Sequence, residues 1–281
     1  MPTSSSVQAA REAFGTRLRE IRREAGLTGT ELARRAGRHQ TKVSKLEHAI
    51  TLPDADDLRA WCVHCDVADQ YPELLAKLIA TETMWTDWRR LERAGLRQAN
   101  EAVVPLWERT RHFRIYSSWL VPGPLQAEPY IRALLASTQA RRGLVDDIDE
   151  ATAVRVAKQH VIREGDHRFA IVLEESVLRT RIGGVGVLAE QLRHLLDVMA
   201  LPSVSLGIIP MDADRSLLRP VEMFFMFDDD QVSAEFVSGW LRVTAPGEIA
   251  MYAHTFGLLA ELAVHGERAR RLVNEALTSL R

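Results

Sequence analysis

Residues 17–53 read RLREIRREAGLTGTELARRAGRHQTKVSKLEHAITLP, and this stretch decides the fold of the N-terminal part of the chain. Thr28 and Glu31 have the S/T-x-x-E spacing of a capping box, which starts a helix after the breaker Gly26. Leu32 and Ala36 form the inward face of that helix, and the small Ala33 marks where a second helix crosses closely. Gly37, of the residue type most tolerant of positive φ, ends it. A turn follows at residues 37–39. In the second helix, residues 40–49, the apolar Val43 and Leu46 stand three apart, so the opposite face carries Gln40, Thr41, Ser44, Lys45 and His48.

The spacing predicts a helix-turn-helix whose second helix enters the major groove of DNA. Gln, Thr, Ser and Lys side chains can each meet base edges there, whereas Arg22, Arg23, Arg38 and Lys42 are better placed for phosphates. Period alone also fits an ordinary αα-hairpin with a solvated polar face, and charge is what favours the DNA reading. Residues 1–52 hold ten Arg/Lys against five Glu, a local +5, while the whole chain carries −2, leaving −7 on the remainder. A basic segment on an acidic body is expected when phosphate contact is confined to one end of the molecule.

The stretch resembles the Cro/C1-type (Xre) helix-turn-helix family, in the pattern LRxxRxxxGLTxxELA, then a turn, then xxxVSKLEH and Pro53 just beyond. The resemblance implies an all-α five-helix domain over about residues 7–80, with Thr28 near the DNA backbone and Gln40, Thr41, Ser44 and Lys45 at base edges. The expected DNA-contacting set is Arg22, Arg23, Thr28, Arg38, His39, Gln40, Thr41, Lys42, Ser44, Lys45 and His48. Three positions depart from the family pattern. Gly29 stands where a Gln that touches phosphate is common, His39 where a Ser or Thr cap is common, and Ala49 where a helix-ending Gly is usual. One recognition helix covers only a few base pairs, so a homodimer on two half-sites of double-stranded DNA is expected.

At 281 residues the chain has material for two domains. Its 46% hydrophobic and 26% charged content is ordinary for soluble proteins, and it contains no apolar run of membrane-spanning length. The polar start MPTSSSVQAA lacks the layout of a signal peptide, and two cysteines make no disulfide framework, so a cytoplasmic protein is expected.

The domain expectations are a helix-turn-helix domain over residues 1–85, a linker over 86–101 and an α/β domain over 102–281. Phe14, Leu18 and Ile21 give helix 1 its stripe. Residues 54–67 read as a fourth helix. Residues 71–93 read as a fifth, with Leu74, Leu75, Leu78 and Ile79 inward and Trp85 and Trp88 further along. The polar run at 89–101 reads as the connection, and a helix over 102–111 opens the second domain. Beyond it, β-prone runs at 113–117, 169–174, 204–209, 221–227 and 232–238 alternate with helical ones at 127–138, 147–163, 185–199, 247–265 and 267–280. The last two runs, joined at 228–231, read as a hairpin, so the mixed α/β domain has a partly antiparallel sheet.

The segments SSWLVPGPLQAEPYIRALL, ATAVRVAKQHVI, IVLEESVLRTRIGG and LAEQLRHLLD resemble the uncharacterised C-terminal domain that follows helix-turn-helix modules in actinomycete antitoxin-like (Scr1-type) regulators. Pro124 and Lys158 depart from that pattern. The resemblance implies regulation and a possible small protein encoded beside the gene, and it implies no chemistry. The loop at 121–124 with Gln126, Tyr130, Arg155 and Gln159 is a candidate site for a small molecule or partner protein.

Other motifs favour structural readings. Cys62 and Cys65 fall with Leu58 on the buried face of one helix, which favours packing over thiol redox sensing or half a zinc site, and no second Cys pair exists. Residues 184–189 match GxGxxA, but the nearest strand ends ten residues earlier, so they favour a helix entry over a dinucleotide turn. Glu174 and Glu175 suggest a strand-to-helix junction. No catalytic, cofactor or metal constellation stands out. The expectation is a DNA-binding transcriptional regulator whose C-terminal domain senses a small molecule or partner. An antitoxin-like protein that sequesters an adjacent-gene product, or an enzyme with a DNA-targeting domain, is the alternative.

Overall fold

The stripe Phe14, Leu18 and Ile21 becomes the floor of the first of two units, Met1–Thr86 and Asp87–Arg281. This computed structural model describes residues 5–83, 85–87 and 92–280. The first unit is helical: α1 (Ser5–Glu24), α2 (Gly29–Arg35), α3 (Gln40–Glu47), α4 (Ala55–His64) and α5 (Tyr71–Thr83), with a 3-10 turn at Ala68–Gln70 before α5. Its core joins that stripe to Leu32 and Ala33 of α2, Val43 and Leu46 of α3, Leu58 and Trp61 of α4, and Leu74 and Leu78 of α5. The Trp61 indole N–H, which burial would leave unsatisfied, donates to the Leu18 carbonyl at 3.1 Å. The fifth helix is shorter than expected, ending at Thr83, and Ile79 is exposed rather than inward. Trp85–Asp87 forms a short strand, β1, instead of a further helical turn. Trp88, also expected in that helix, lies outside the described residues.

The second unit is an α/β domain. Strands β2 (His112–Ser117), β3 (Arg168–Glu174), β4 (Val204–Ile209), β5 (Phe224–Phe227), β6 (Gln231–Phe236) and β7 (Gly239–Val243) lie in the order β7-β6-β5-β2-β3-β4. The three strands β2, β3 and β4 pair in parallel, and β5, β6 and β7 extend the sheet antiparallel from the other side of β2. The 228–231 hairpin forms as the sequence predicts, and the Asp228 carboxylate accepts the backbone N–H groups of Arg111 and His112. Strand β7, which begins at Gly239, has no counterpart in the sequence expectation.

Register assigns the faces. Phe113 and Ile115 stand opposite Phe227 and Phe225 across β2 and β5, so these four share one face. They pack there with Trp107 of α7 (Val104–Arg109), Leu188, Leu192 and Leu195 of α10 (Val185–Val198), and Ala269 and Val273 of α12 (Gly266–Thr278). On the other face Phe224 meets Tyr252 and Phe256 of α11 (Pro246–Leu262) at ring distances of 5.0 and 6.5 Å. Two more helices, α8 (Glu128–Arg142) and α9 (Ile148–Lys158), pack together, and α9 also packs on α6 (Leu96–Glu101). The last six residues of the expected linker are therefore helical. Asp147 fixes them, accepting from the backbone N–H groups of Leu96 and Arg97 at 3.1 and 2.8 Å.

Gly15 is where α1 approaches the end of α3 most closely. A Cβ there would stand 2.8 Å from the Leu46 carbonyl oxygen and 2.9 Å from that of Glu47, both of them backbone atoms with little room to move. Gly15→Ala is expected to destabilise the first unit by about 1–3 kcal/mol through this overpacking, although Ala is the better helix former. A thermal melt of the full chain, followed at 222 nm, checks it.

Candidate nucleic-acid interface and a cavity in the second unit

Both helices of the reading pair have side-chain caps. Thr28 Oγ1 accepts the Glu31 N–H at 3.1 Å to open α2, while the Glu31 carboxylate pairs with Arg34 and Arg35. Those two bonds hold Glu31 well below the usual carboxylate range, at about 2. His39 opens α3: its Nδ1 accepts the Thr41 N–H at 3.3 Å and stands 2.9 Å from Thr41 Oγ1. His39 thus supplies the cap that Ser or Thr would otherwise give. Gly37 and Ala49 end α2 and α3 with φ of 61° and 55°. Ala49 accepts the left-handed conformation that Gly would take without strain.

The basic residues divide into two sets. Arg22 grips Glu47 at the end of α3 through two bonds, Nε to Oε1 at 2.5 Å and Nη2 to Oε2 at 2.9 Å, and its third nitrogen reaches the Leu27 carbonyl at 2.7 Å. Arg38 and Lys42 both hold Asp57 of α4, at 3.0 and 2.6 Å. These three, expected at phosphates, are therefore committed to carboxylates within the unit, Arg22 most fully. Arg23, Gln40 and Lys45 are exposed and make no side-chain hydrogen bond or ion pair among the described residues. Thr41 is exposed and joined to His39, and the exposed His48 folds back on the Ser44 carbonyl at 2.8 Å.

Cys62 and Cys65 are buried free thiols, and burial pushes both above the usual range, Cys65 to about 11. Thiols held so far from the thiolate are poor nucleophiles. Gly183 and Gly184 have φ of 74° and 91° ahead of α10, and a 3-10 turn at Glu175–Arg179 separates them from β3. Glu174 accepts hydrogen bonds from the Tyr116 hydroxyl at 2.7 Å and Arg215 at 2.6 Å.

The second unit holds a cavity of about 240 Å³ between β5–β7 and helices α6–α9. Of the four candidate ligand residues, Gln126 and Arg155 line it. Tyr130 and Gln159 shape its surroundings instead. The fully buried Tyr130 accepts the Val121 N–H at 3.3 Å, and Gln159 Nε2 donates to the carbonyls of Gly123 and Gln126, both at 2.8 Å. Lys158, which the sequence reading left out of the site, stands 4.5 Å over the Trp107 ring and lines the same space. Glu235 and Ser233 of β6 also line it. The signal for them was the polar Gln231, Ser233 and Glu235 alternating with Val232 and Ala234.

A helix-turn-helix module joined to an α/β domain is the class this architecture defines, and both parts match known families. Residues 13–76 match a helix-turn-helix domain family, which together with the capped α2–α3 pair supports DNA as a partner. Residues 101–275 match the domain of unknown function DUF5753, and the chain belongs to that family. No curated protein matches the chain. Among solved structures, the archaeal chromatin protein TrmBL2, described as showing a novel mode of DNA binding, overlaps 85% of this chain and 88% of its own at 12% identity, with a TM-score of 0.31. No helix among the described residues is long and apolar enough to cross a membrane.

Asp57 joins these elements, because its side chain also closes a capping box with Asp54 at the start of α4. Burial favours its neutral form, but the bonds from Lys42, the Asp54 backbone and Arg38 outweigh that and lower its pKa. A carboxylate with a lowered folded value contributes stability that is present above the ordinary value of ~3.9 and lost as pH falls through the folded one. Asp57→Asn is expected to cost about 2–4 kcal/mol at pH 7 and to flatten the loss of stability below about pH 4. Urea melts of both proteins between pH 7 and pH 2 check it.

Proposed function

We propose that this chain is a sequence-specific DNA-binding transcriptional regulator of the Cro/C1 (Xre) type, acting as a homodimer in the cytoplasm, whose second unit senses a small molecule. The observation that carries the reading is the exposed row Gln40, Thr41 and Lys45 on a capped α3, with Arg23 nearby in sequence terms on α1 and free to meet phosphate. Gln and Thr can read base edges, Lys can read guanine, and Arg23 adds sequence-independent attraction. A cavity lined by charged and aromatic groups favours a small-molecule effector for the second unit over a small adjacent-gene protein. In this reading the chain binds and does not catalyse.

Selection of bound duplexes from a random pool tests the proposal, with a two-fold symmetric consensus as the expected result. Gln40→Ala is expected to lose about 1–3 kcal/mol on the consensus and little on random DNA. Arg23→Ala is expected to weaken both alike and to lower the salt slope by about one. Equal losses on both DNAs for Gln40→Ala would mean that α3 reads no bases.

A further inference from the structure

The cavity of the second unit combines two properties that together define a ligand. Its walls are aromatic: Phe225 and Phe227 project from β5, Trp107 from α7 and Trp240 from β7, and Trp119, 44% exposed, borders the same space. Its charge is unbalanced. Glu92 is taken by Arg142 at 2.5 Å, whereas Arg155 and Lys158 have no carboxylate within ion-pair distance among the described residues. Arg155 spends its Nε on the Asn100 side chain at 2.7 Å, which leaves the two terminal nitrogens of its guanidinium. Glu235 is the remaining acid in the wall.

We propose that this cavity binds a small, flat, apolar carboxylic acid as its anion, with Arg155 and Lys158 as counter-ions and aromatic rings against its faces. The inference deepens the sensing half of the function proposed above and rests on that half alone. A cationic ligand fits badly, because the Lys158 amine already occupies the face of Trp107 and Arg155 adds repulsion. At about 240 Å³ the space lies below the ~300–1,000 Å³ of drug-sized pockets, so the occupant is small.

The electrostatics agree. Burial, then repulsion from Arg155, pulls Lys158 down to about 7, and burial lowers Arg155 and raises Glu235. Near neutral pH the empty cavity therefore holds Lys158 only partly protonated, and an anion beside it restores the proton. Binding takes up protons and strengthens as pH falls from about 8 to 6. The charged groups facing this space are Arg155 on α9, Glu235 on β6, Arg141 and Arg142 on α8, and Glu92.

The test uses the full chain without DNA, titrated with benzoate and cinnamate, their amides and benzylamine, and read by tryptophan fluorescence and by calorimetry in two buffers of different ionisation enthalpy. The expected result is saturable binding of a carboxylate with proton uptake, weaker by about tenfold or more for the matching amide and for benzylamine. Lys158→Met is expected to lose about tenfold or more and the proton uptake with it, while Lys158→Arg retains binding. Circular dichroism melts confirm that both variants fold. Failure of every carboxylate to saturate, an amide binding as tightly as its acid, or unchanged binding and proton uptake in Lys158→Met would overturn the proposal. Because DNA affinity is measured separately, none of these outcomes bears on α3.

Discussion

The first unit depends on one ion pair, Arg22 to Glu47. Arg22 leaves α1 with both terminal nitrogens and Nε engaged, two of them on the carboxylate that ends α3 and one on the Leu27 carbonyl ahead of α2. The arginine therefore binds three segments at once, and Arg19 adds a second cation 3.4 Å from the same carboxylate. Both partners are largely buried, with 11% and 7% of their side chains exposed, so neither can be lost without stranding the other. The apolar contacts of Leu18, Leu32 and Leu46 supply the driving force for packing, and this pair sets where the end of α3 sits relative to α1. Gly15 makes the same junction possible from the other side by leaving room for two backbone carbonyls.

Much of the surplus positive charge is consequently engaged within the unit. Arg22, Arg38 and Lys42 count toward the local +5, yet each answers a carboxylate, Glu47 or Asp57, that fixes α3 against its neighbours. They orient α3. What remains facing outward is smaller and more polar: Gln40, Thr41 and Lys45 on α3, and Arg23 on α1. In the proposed reading such a face would carry specificity through hydrogen bonds, with a modest electrostatic contribution beside it.

Helical periods made the first unit legible, since Phe14, Leu18, Ile21, Val43 and Leu46 are buried where the 3.6-residue repeat puts them. Period says nothing about partners across the fold, so the engagement of Arg22 with Glu47, 25 residues away, was invisible. His39 looked like a missing cap because Ser and Thr are the usual residues, but an imidazole nitrogen can also accept an N–H. In the second unit the strands with β-branched and aromatic runs were readable. Strand β7 was not, because it is short, opens on Gly239 and carries Arg242 among its apolar residues. Residues 96–101 looked like a polar connection because the partner they pack on, α9, begins about fifty residues on.

The cavity follows from the same sheet. Its parallel half presents Ile171, Leu173 and Ile208 to the core, whereas β6 presents Ser233 and Glu235 on the corresponding face, so that end lines a polar-floored space instead of closing on side chains. The central claim remains that α3 reads bases in the major groove. Methylation protection of guanine N7 on the tightest duplex recovered from a random pool tests it most directly, since N7 lies in that groove. Protection at guanines in each half-site, lost at one position in Lys45→Ala, is the predicted result. Unprotected N7 atoms throughout a saturated complex would contradict it.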